Sequence, residues 1–209
     1  MVKIDLPPPE PKFPIAPQYE ILEAGTTLRR IYNPNKYNTQ AVSFRFNGPR
    51  ARFDHHRFSC ENPQDDLDRG INYWGFTLSC CLVEVFGDTR VIEVDEYEVA
   101  LITLNQSIKL LDLRGAAAMR AGTVSAVSQT ADRNLSQLWS KYFYEATKIY
   151  GLVEGLIFNN AHNNENSIAL YERATPKLDS ATIETLALNS PALHFAIAEI
   201  ALKNSMIFD

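Results

Sequence analysis

Residues 71–87, INYWGFTLSCCLVEVFG, place a strand directly before a helix. The first part, INYWGF (71–76), is rich in aromatic and β-branched side chains, which favour a half-buried strand. The apolar residues then recur at i, i+3, i+4 and i+7, the spacing of one helix face. These residues are Leu78, Cys81, Leu82 and Val85. Gly87 is a typical residue for the end of such a helix, so we predict a strand–helix unit with these four residues on its apolar face.

Further strands are predicted on both sides of this unit, from β-branched and aromatic residues bounded by turn-forming ones. On the amino-terminal side they are LRRIY (28–32) and AVSFRFN (41–47). On the carboxy-terminal side they are one or two strands within 89–105, the strand end of KLLDLRG (109–115), GLIFNN (155–160) and SIALYER (167–173). Residues 48–69 are polar without a clear period, and a long irregular loop inside a compact domain is often functional.

Three further segments have helical character. A short one is AAAMRAG (116–122), and a longer one spans 134–151. The apolar stripe of the longer segment comprises Leu135, Leu138, Trp139, Tyr142 and Phe143. Pro191 after Ser190 favours a helix start, because proline suits the first helical position. The residues that we expect the last helix to bury are Leu193, Ile197, Ile200 and Ala201.

These elements predict a mixed α+β domain, in which strands pair through local hairpins and helices pack on the sheet. We expect one domain over residues 26–209 and a proline-rich arm over residues 1–25. Six of the eleven prolines fall within residues 1–18, and proline lacks an amide donor and fixes its own φ. We interpret this region as an extended arm lying on the domain, with a PxxP ligand that docks a partner as the alternative.

The composition is that of an ordinary globular protein, with 45% hydrophobic and 22% charged residues among 209. The net charge of -5 argues against nucleic acid as the main partner, because binding to phosphate backbones requires Lys and Arg. No run approaches the roughly 20 apolar residues of a membrane span, and MVKIDLPPPEPKFP (1–14) lacks the core of a secretory signal. Three cysteines cannot all pair within one chain, and free thiols suit a reducing compartment. We therefore expect a cytoplasmic protein.

Several common catalytic motifs are missing from the sequence. His55 and His56 are adjacent, but neighbouring side chains rarely converge on one metal ion, and no CxxC pair accompanies them. The sequence also has no GxSxG, Walker-type or GxGxxG motif. Cys81 falls on the apolar helix face, where a thiol packs as a small hydrophobe. We expect no metal, and we interpret His162 and His194 as surface or capping groups.

A carboxylate at the edge of the predicted helix face is the main candidate for chemistry. Glu84 lies two positions after Leu82, where burial is costly unless the carboxylate has a partner or a function. The arginines and tyrosines that precede it are Arg29, Arg30, Tyr32, Arg50, Arg52 and Tyr73. Arginines bind phosphates in a forked geometry, aromatic rings stack on bases, and a carboxylate stabilises developing positive charge. This set suits nucleotide–sugar chemistry, and a structural Arg–Glu pair is the simpler alternative.

The order of these residues resembles the RES-domain family, which is named for its recurrent Arg, Glu and Ser. The similar pieces span about residues 26–175 in consistent order. They are LRRIY, FNGPRARFD, YWGFTLSCCLVEVFGD, LDL with SQLWSKYF, GLIFNNAHN and SIALYERA. Each piece is short, and their common order makes the combination specific.

The resemblance implies an ADP-ribosyltransferase-like fold and a toxin that consumes NAD. Members of the family cleave nicotinamide from ribose with phosphate or water as acceptor, and a few transfer ADP-ribose to a protein. NAD is then the substrate, and no metal is implied. The resemblance also implies a co-encoded antitoxin or an immunity protein as partner, and active members often form dimers.

The resemblance assigns roles to residues by their place in its motifs. It places the family glutamate at Glu84, the first arginine at Arg30, the loop arginine at Arg52 and the strand tyrosine at Tyr73. Glu84 would stabilise the charge on the ribose, and Arg30 and Arg52 would bind the pyrophosphate. Tyr73 or Tyr32 would stack on a ring.

One position departs from the family pattern. A Ser–Arg pair commonly follows the strand that here reads GLIFNN, and this chain has Asn160 and Ala161 there. Asparagine donates and accepts hydrogen bonds as serine does, but it lacks a hydroxyl, and the missing arginine removes a phosphate fork. We keep Asn160 as a candidate catalytic residue. Two alternatives to NAD cleavage stay open: a protein ADP-ribosyltransferase, and a non-catalytic relative that binds a nucleotide or a partner.

Overall fold

A mixed eight-stranded sheet forms the centre of the structure, a computed structural model that describes residues 3–11 and 14–208. The strands are β1 (Tyr19–Leu22), β2 (Thr27–Tyr32), β3 (Asn47–Gly48), β4 (Gln64–Asp65), β5 (Ile71–Gly75), β6 (Glu98–Thr103), β7 (Ile108–Asp112), β8 (Gly155–Asn159), β9 (Asn166–Tyr171) and β10 (Thr182–Ala187). The order in the sheet is β1-β7-β8-β9-β5-β2-β6-β10, and β3 pairs separately with β4. Neighbouring strands are antiparallel except β7 and β8, which are parallel.

Helices cover both faces of the sheet and confirm the predicted mixed α+β class. They are α1 (Leu78–Phe86), α2 (Ala116–Arg120), α3 (Arg133–Glu145), α4 (Thr147–Tyr150), α5 (Thr175–Asp179) and α6 (Pro191–Lys203). Strand β9 shows why both faces are buried: Ile168 and Leu170 belong to one apolar cluster, and Ala169 and Tyr171 belong to another. A strand covered on both faces reads as a continuous apolar run rather than an alternating one. Among the described residues, no helix is both long enough and apolar enough to cross a bilayer.

The predicted strand–helix unit is confirmed as β5 and α1. Thr77 caps α1, since its side-chain oxygen accepts a hydrogen bond from the Cys80 amide at 2.9 Å. The buried face differs from the predicted one: Val85 is 40% exposed, and Cys80 and Val83 are buried. The physical reason is that α1 packs on two sides, with Cys80 against β9 and Cys81 against β2. A single stripe at i, i+3, i+4 and i+7 therefore describes only part of its contact surface.

Two strand predictions were wrong. Of residues 41–47, only Asn47 enters a strand, and Arg45 makes an isolated bridge to Ile71. The carbonyl groups of Ala41 and Ser43 instead accept hydrogen bonds from the Arg30 side chain, so they are not available to a neighbouring strand. The second error is the omission of β1 and β10: β1 lies in the region interpreted as an arm, and the six residues of β10 are all exposed and carry no alternating pattern.

The other predicted elements are close to the structure. The long helix predicted over 134–151 is interrupted at Ala146, which separates α3 from α4, and Leu138 in its predicted stripe is 36% exposed. Helix α6 begins at Pro191, as predicted. One strand, β6, forms within 89–105, and β7, β8 and β9 follow at their predicted places.

The proline-rich region packs along one edge of the domain. Its described residues before Tyr19 have no helix or strand. The Asp5 carbonyl accepts a hydrogen bond from the Trp139 indole at 2.8 Å, and the Ala16 amide donates to the Arg120 carbonyl at 3.0 Å. Residues 19–22 then form β1, which pairs with β7. This end of the region thus contributes the first edge strand of the sheet.

Candidate active site

A cavity of about 960 Å³ opens where β2 and β5 separate. The two strands share a single register pair, Arg29 with Gly75. If the antiparallel ladder continued, Arg30 would face Trp74 and Ile31 would face Tyr73. All four of these residues line the cavity instead. The cavity is therefore the space left where β2 and β5 diverge, and it is large enough to admit a ligand.

Glu84 lines this cavity from the last turn of α1. The residue is exposed, and within the described residues its carboxylate has no ion pair or hydrogen bond. Because protein atoms surround much of it, desolvation raises its pKa above the ordinary value. Electrostatic interactions with His162 and Arg52 oppose this shift. Such an unpaired carboxylate can stabilise positive charge that develops on a bound molecule.

Arg30 is the second charged group on the wall. Its Nη1 atom donates to the carbonyls of Ala41 at 2.8 Å and Ser43 at 3.0 Å, which fix its position. In the described part of the chain no carboxylate pairs with it. Burial lowers its pKa to about 10, so the guanidinium still carries its charge at neutral pH. A desolvated cation without a counter-ion is a strong candidate for binding an anion.

Tyr73 lines the cavity with its hydroxyl turned to the neighbouring loop. The hydroxyl donates to Asp54 Oδ1 at 2.8 Å and accepts from the Phe53 amide at 3.2 Å. Burial raises its pKa well above the ordinary value, so the phenol is neutral. Because the hydroxyl is hydrogen-bonded to loop residues, the ring is the part of Tyr73 that can contact a ligand.

The polar residues 48–69 form an irregular loop, as predicted, apart from Gly48 at the end of β3 and the two-residue strand β4. Asp54 organises its first part: it pairs with Arg45 at 2.7 Å and accepts from the amides of Arg50 and Ala51. Asp66 does the same further on, accepting from the Arg57 amide at 3.0 Å. Two buried carboxylates therefore hold the loop against the cavity, where Arg50 joins the lining.

Arg52 is close to the site and is not among the residues that line the cavity. Its side chain donates to the Thr130 carbonyl. Its charge interacts with both Glu84 and Tyr73.

Two further predicted residues lie behind the wall rather than on it. Tyr32 packs in an apolar cluster and donates its hydroxyl to the Glu98 carboxylate; burial and this bond raise its pKa to about 12. Asn160 is 1% exposed, and its Oδ1 accepts from the amides of His162 and Asn163 at 3.0 and 2.9 Å. Asn160 thereby shapes the turn after β8, and its side chain is not part of the described lining.

That turn brings His162 beside the end of α1, where it interacts electrostatically with Glu84. His162 is exposed, as predicted. Glu165 ties the turn to the start of α1: it accepts from Ser79 at 2.5 Å and from Thr77. The His162 ring packs directly on Gly87, where an added Cβ would come 2.6 Å from Nδ1. Gly87 has an ordinary helical φ of -62°, so the lack of space beside the Val83 carbonyl oxygen and the His162 ring, and not a special backbone conformation, accounts for glycine here. No local pattern in the sequence predicts contacts between residues this far apart in the chain.

The cysteines and the paired histidines do not offer an alternative chemistry in the described structure. Cys80 and Cys81 line the cavity as free, buried thiols, and burial raises the pKa of each, which disfavours the reactive thiolate. His55 bonds Glu172 at 3.0 Å, and His56 bonds the Arg45 carbonyl at 3.2 Å. Among the described residues, no three His, Cys, Asp or Glu side chains are grouped to hold a metal ion.

Comparison with known proteins identifies similar sequences. Residues 27–198 match the family model described as the RES domain. A curated relative from Sinorhizobium fredii (strain NBRC 101917 / NGR234), named probable toxin y4kH, is 28% identical over 89 residues, which cover 43% of this chain and 68% of the relative. The match confirms the resemblance seen in the sequence and extends it beyond residue 175. It includes Arg30, Tyr73 and Glu84.

Proposed function

Because this chain belongs to the RES domain family, we propose that it is a toxin-like enzyme that consumes NAD. The reaction would cleave the bond between nicotinamide and ribose, with phosphate or water as acceptor. The observation that carries the proposal is that the side chains of Glu84 and Arg30 line the same cavity, and neither has an ion-pair partner among the described residues. We also infer that the divergent sheet is related to that of ADP-ribosyltransferases.

The leaving group explains why a carboxylate is the central residue. In NAD the nicotinamide nitrogen is positively charged, so when its bond to C1 breaks, the electron pair neutralises it and no acid is needed. Positive charge then spreads over C1 and the ring oxygen of the ribose, as in glycoside cleavage. Glu84 would stabilise this charge. An oxygen of water or phosphate then bonds to C1, and in the case of water a proton is released.

The arginines account for binding and orientation. Arg30 would bind the pyrophosphate, because its Nη1 is fixed by the carbonyls of residues 41 and 43 and its charge is unbalanced. Arg50 on the loop lines the same cavity, and Arg52 would join after a loop movement. A substrate held at both ends loses little further freedom on reaching the transition state. The Tyr73 ring would contact the ribose or base.

The test is product analysis. Purified protein is incubated with NAD, with and without inorganic phosphate, and the products are identified by mass. Free nicotinamide with ADP-ribose would indicate water as acceptor, and a phosphorylated ADP-ribose would indicate phosphate. Intact NAD under all conditions would contradict the proposal. Glu199→Gln is a matched control for Glu84→Gln, because Glu199 is exposed on α6, away from the cavity.

A non-catalytic relative is the second candidate, and one observation favours it. Asn160, at the position of the family serine, uses its side chain within its own turn. If that serine contacts substrate in relatives, its function is missing here. NAD binding without nicotinamide release would support this second candidate over the first.

We also propose a protein inhibitor and a reducing location. An enzyme that consumes NAD would harm the cell that makes it, so an antitoxin or immunity protein is expected to bind it. The cysteines Cys60, Cys80 and Cys81 are all free, which suits the cytoplasm. Co-expression with neighbouring open reading frames, followed by co-purification, tests for the inhibitor.

A further inference from the structure

Asn72 is a buried polar side chain whose hydrogen-bonding groups are both unused. It lies in the middle of β5, is 1% exposed and lines the cavity. Within the described residues, neither its Oδ1 nor its Nδ2 has a hydrogen-bond partner. Buried polar atoms are nearly always hydrogen-bonded, and leaving one without a partner costs free energy. The position therefore calls for an explanation other than stability.

Trp74 repeats the feature two residues further along the strand. Side chains at i and i+2 of a strand lie on the same face of the sheet. Trp74 is 3% exposed, lines the cavity, and its Nε1 has no described partner either. The Asn72 and Trp74 side chains thus place two donor groups, Nδ2 and Nε1, and one acceptor, Oδ1, on the same face of β5. Ile71 and Tyr73 pack in the cluster on the opposite face.

The surroundings of Asn72 suit a flat heterocycle with a charged neighbour. Phe44 lines the cavity and packs against the cluster that contains Trp74. Arg30 lies on the same face of the adjacent strand, since its neighbours Leu28 and Tyr32 belong to that cluster. Ligand pockets typically combine such apolar walls with a few polar groups that fix orientation.

We propose that Asn72 is a specificity-determining residue that reads the ring edge of the bound nucleotide through paired hydrogen bonds. This inference rests on the proposed function. An asparagine amide offers one acceptor and a donor side by side, which matches a carboxamide or the amino edge of adenine. NAD contains both groups, one on each ring, and they share this donor–acceptor chemistry.

A structural role would give Asn72 protein partners, as the buried Asn33 illustrates. Asn33 Nδ2 donates to Glu96 at 3.0 Å, and its Oδ1 accepts from the Asn35 amide at 2.9 Å. Asn33 is therefore a suitable control for Asn72. Both are buried asparagines, but among the described residues only the Asn33 side chain has hydrogen-bond partners. Leucine, which has nearly the same shape, removes the hydrogen-bonding groups from either position.

The experiment compares Asn72→Leu with Asn33→Leu in a Glu84→Gln background, which prevents turnover. We expect Asn72→Leu to weaken NAD binding by about 10- to 30-fold, the effect of losing two hydrogen bonds, while its thermal midpoint stays equal or rises. Asn33→Leu should lower the midpoint and leave NAD affinity unchanged. Asn72→Ala is measured as a second variant, so that a packing defect caused by leucine is recognised.

Two NAD analogues identify which ring is read. Nicotinic acid adenine dinucleotide alters the carboxamide, and nicotinamide hypoxanthine dinucleotide alters the adenine edge. Asn72→Leu should no longer weaken binding of the analogue that is altered at the ring that Asn72 contacts. This comparison has the logic of a double-mutant cycle. Two results would overturn the assignment of Asn72. The first is that neither Asn72→Leu nor Asn72→Ala changes NAD affinity, and the second is that both lower affinity only together with the thermal midpoint. Failure of the parent to bind NAD would overturn the proposed function as well, and the two failures are thus distinguishable.

Discussion

Arg29 on β2 and Gly75 on β5 form the single register pair that joins the two halves of the sheet, and the candidate cavity opens immediately next to it. Gly75 also lets α1 approach the sheet: an added Cβ would lie 2.9 Å from Cys80 Sγ and 3.0 Å from Cys81 Sγ. Both contacts are shorter than carbon and sulfur atoms tolerate. The same glycine therefore joins the strands and places the helix that carries Glu84.

Replacement of Gly75 by alanine should destabilise the protein. The two thiols are buried, so the overpacking has little room to relax, and such changes cost about 1–3 kcal/mol. Urea unfolding measures the loss. An unchanged midpoint would mean that α1 can shift away from β5 without cost.

Glu84→Gln should lower the rate of NAD loss by about 100- to 1000-fold, the usual effect of removing a preorganised electrostatic group. Because Glu84 is desolvated and unpaired within the described residues, the thermal midpoint should stay equal or rise. Initial rates and thermal unfolding are measured beside Glu199→Gln. A fall in activity that follows a fall in stability would point to misfolding, and full activity would remove Glu84 from the mechanism.

The pH dependence of kcat/KM should show a rising limb with a midpoint above 4.5, the ordinary pKa of a glutamate side chain. The ionised carboxylate is the active form, and burial raises its pKa, so activity appears only at correspondingly higher pH. His162→Ala should move the limb to still higher pH, because the electrostatic interaction with His162 lowers the pKa of Glu84. A shift to lower pH would contradict this assignment.

Arg30→Lys should weaken NAD binding by about 10- to 100-fold, since a charge-assisted hydrogen bond contributes about 1.5–3 kcal/mol and lysine cannot fork onto a pyrophosphate. Arg120→Lys is the control, because Arg120 also donates to a backbone carbonyl but lies on the surface. Calorimetric titration with NAD compares the two. Equal affinities would place the anion site elsewhere.

Asp54→Asn should destabilise the loop that flanks the cavity. The Asp54 carboxylate is fully buried and pairs with the partly exposed Arg45, and weakening hydrogen bonds to a buried charged group costs about 1.5–3 kcal/mol. Asp68→Asn should have little effect, because Asp68 is 71% exposed in its pair with Arg57. Chemical denaturation and NAD turnover are both measured. Normal stability with lost turnover would instead indicate that Asp54 takes part in the reaction.

Much of the fold could be predicted because its signals are local. The β5–α1 unit, β7 to β9 and the start of α6 follow from spacing, capping and proline position. The segment 41–47 was misread because its apolar residues are buried by packing, with Ala41, Val42 and Phe44 against the core, and a β-like composition reports burial rather than strand pairing. Strand β10 has no buried residue and therefore no pattern to find.

The candidate site was predictable only in part. Glu84, Arg30 and Tyr73 were selected by their order in the chain, and the fold brings them to one cavity. Tyr32 and Asn160 were selected in the same way, but their side chains are used within the protein. Asn72 escaped notice because an asparagine in a strand has no distinctive sequence signal.

The strand–helix unit and the mixed class were predictable from the amino-acid sequence because they depend on hydrogen bonds and spacings between near neighbours, and the family was predictable from the order of its motifs. Which charges are balanced depends on the folded structure. Arg45 and Arg30 are both arginines near strands, yet Arg45 pairs with Asp54, whereas Arg30 contacts carbonyl groups and the Tyr32 ring and pairs with no carboxylate among the described residues. Partners and desolvation come from residues distant in the chain, so no local pattern reveals which cation is left to bind a ligand.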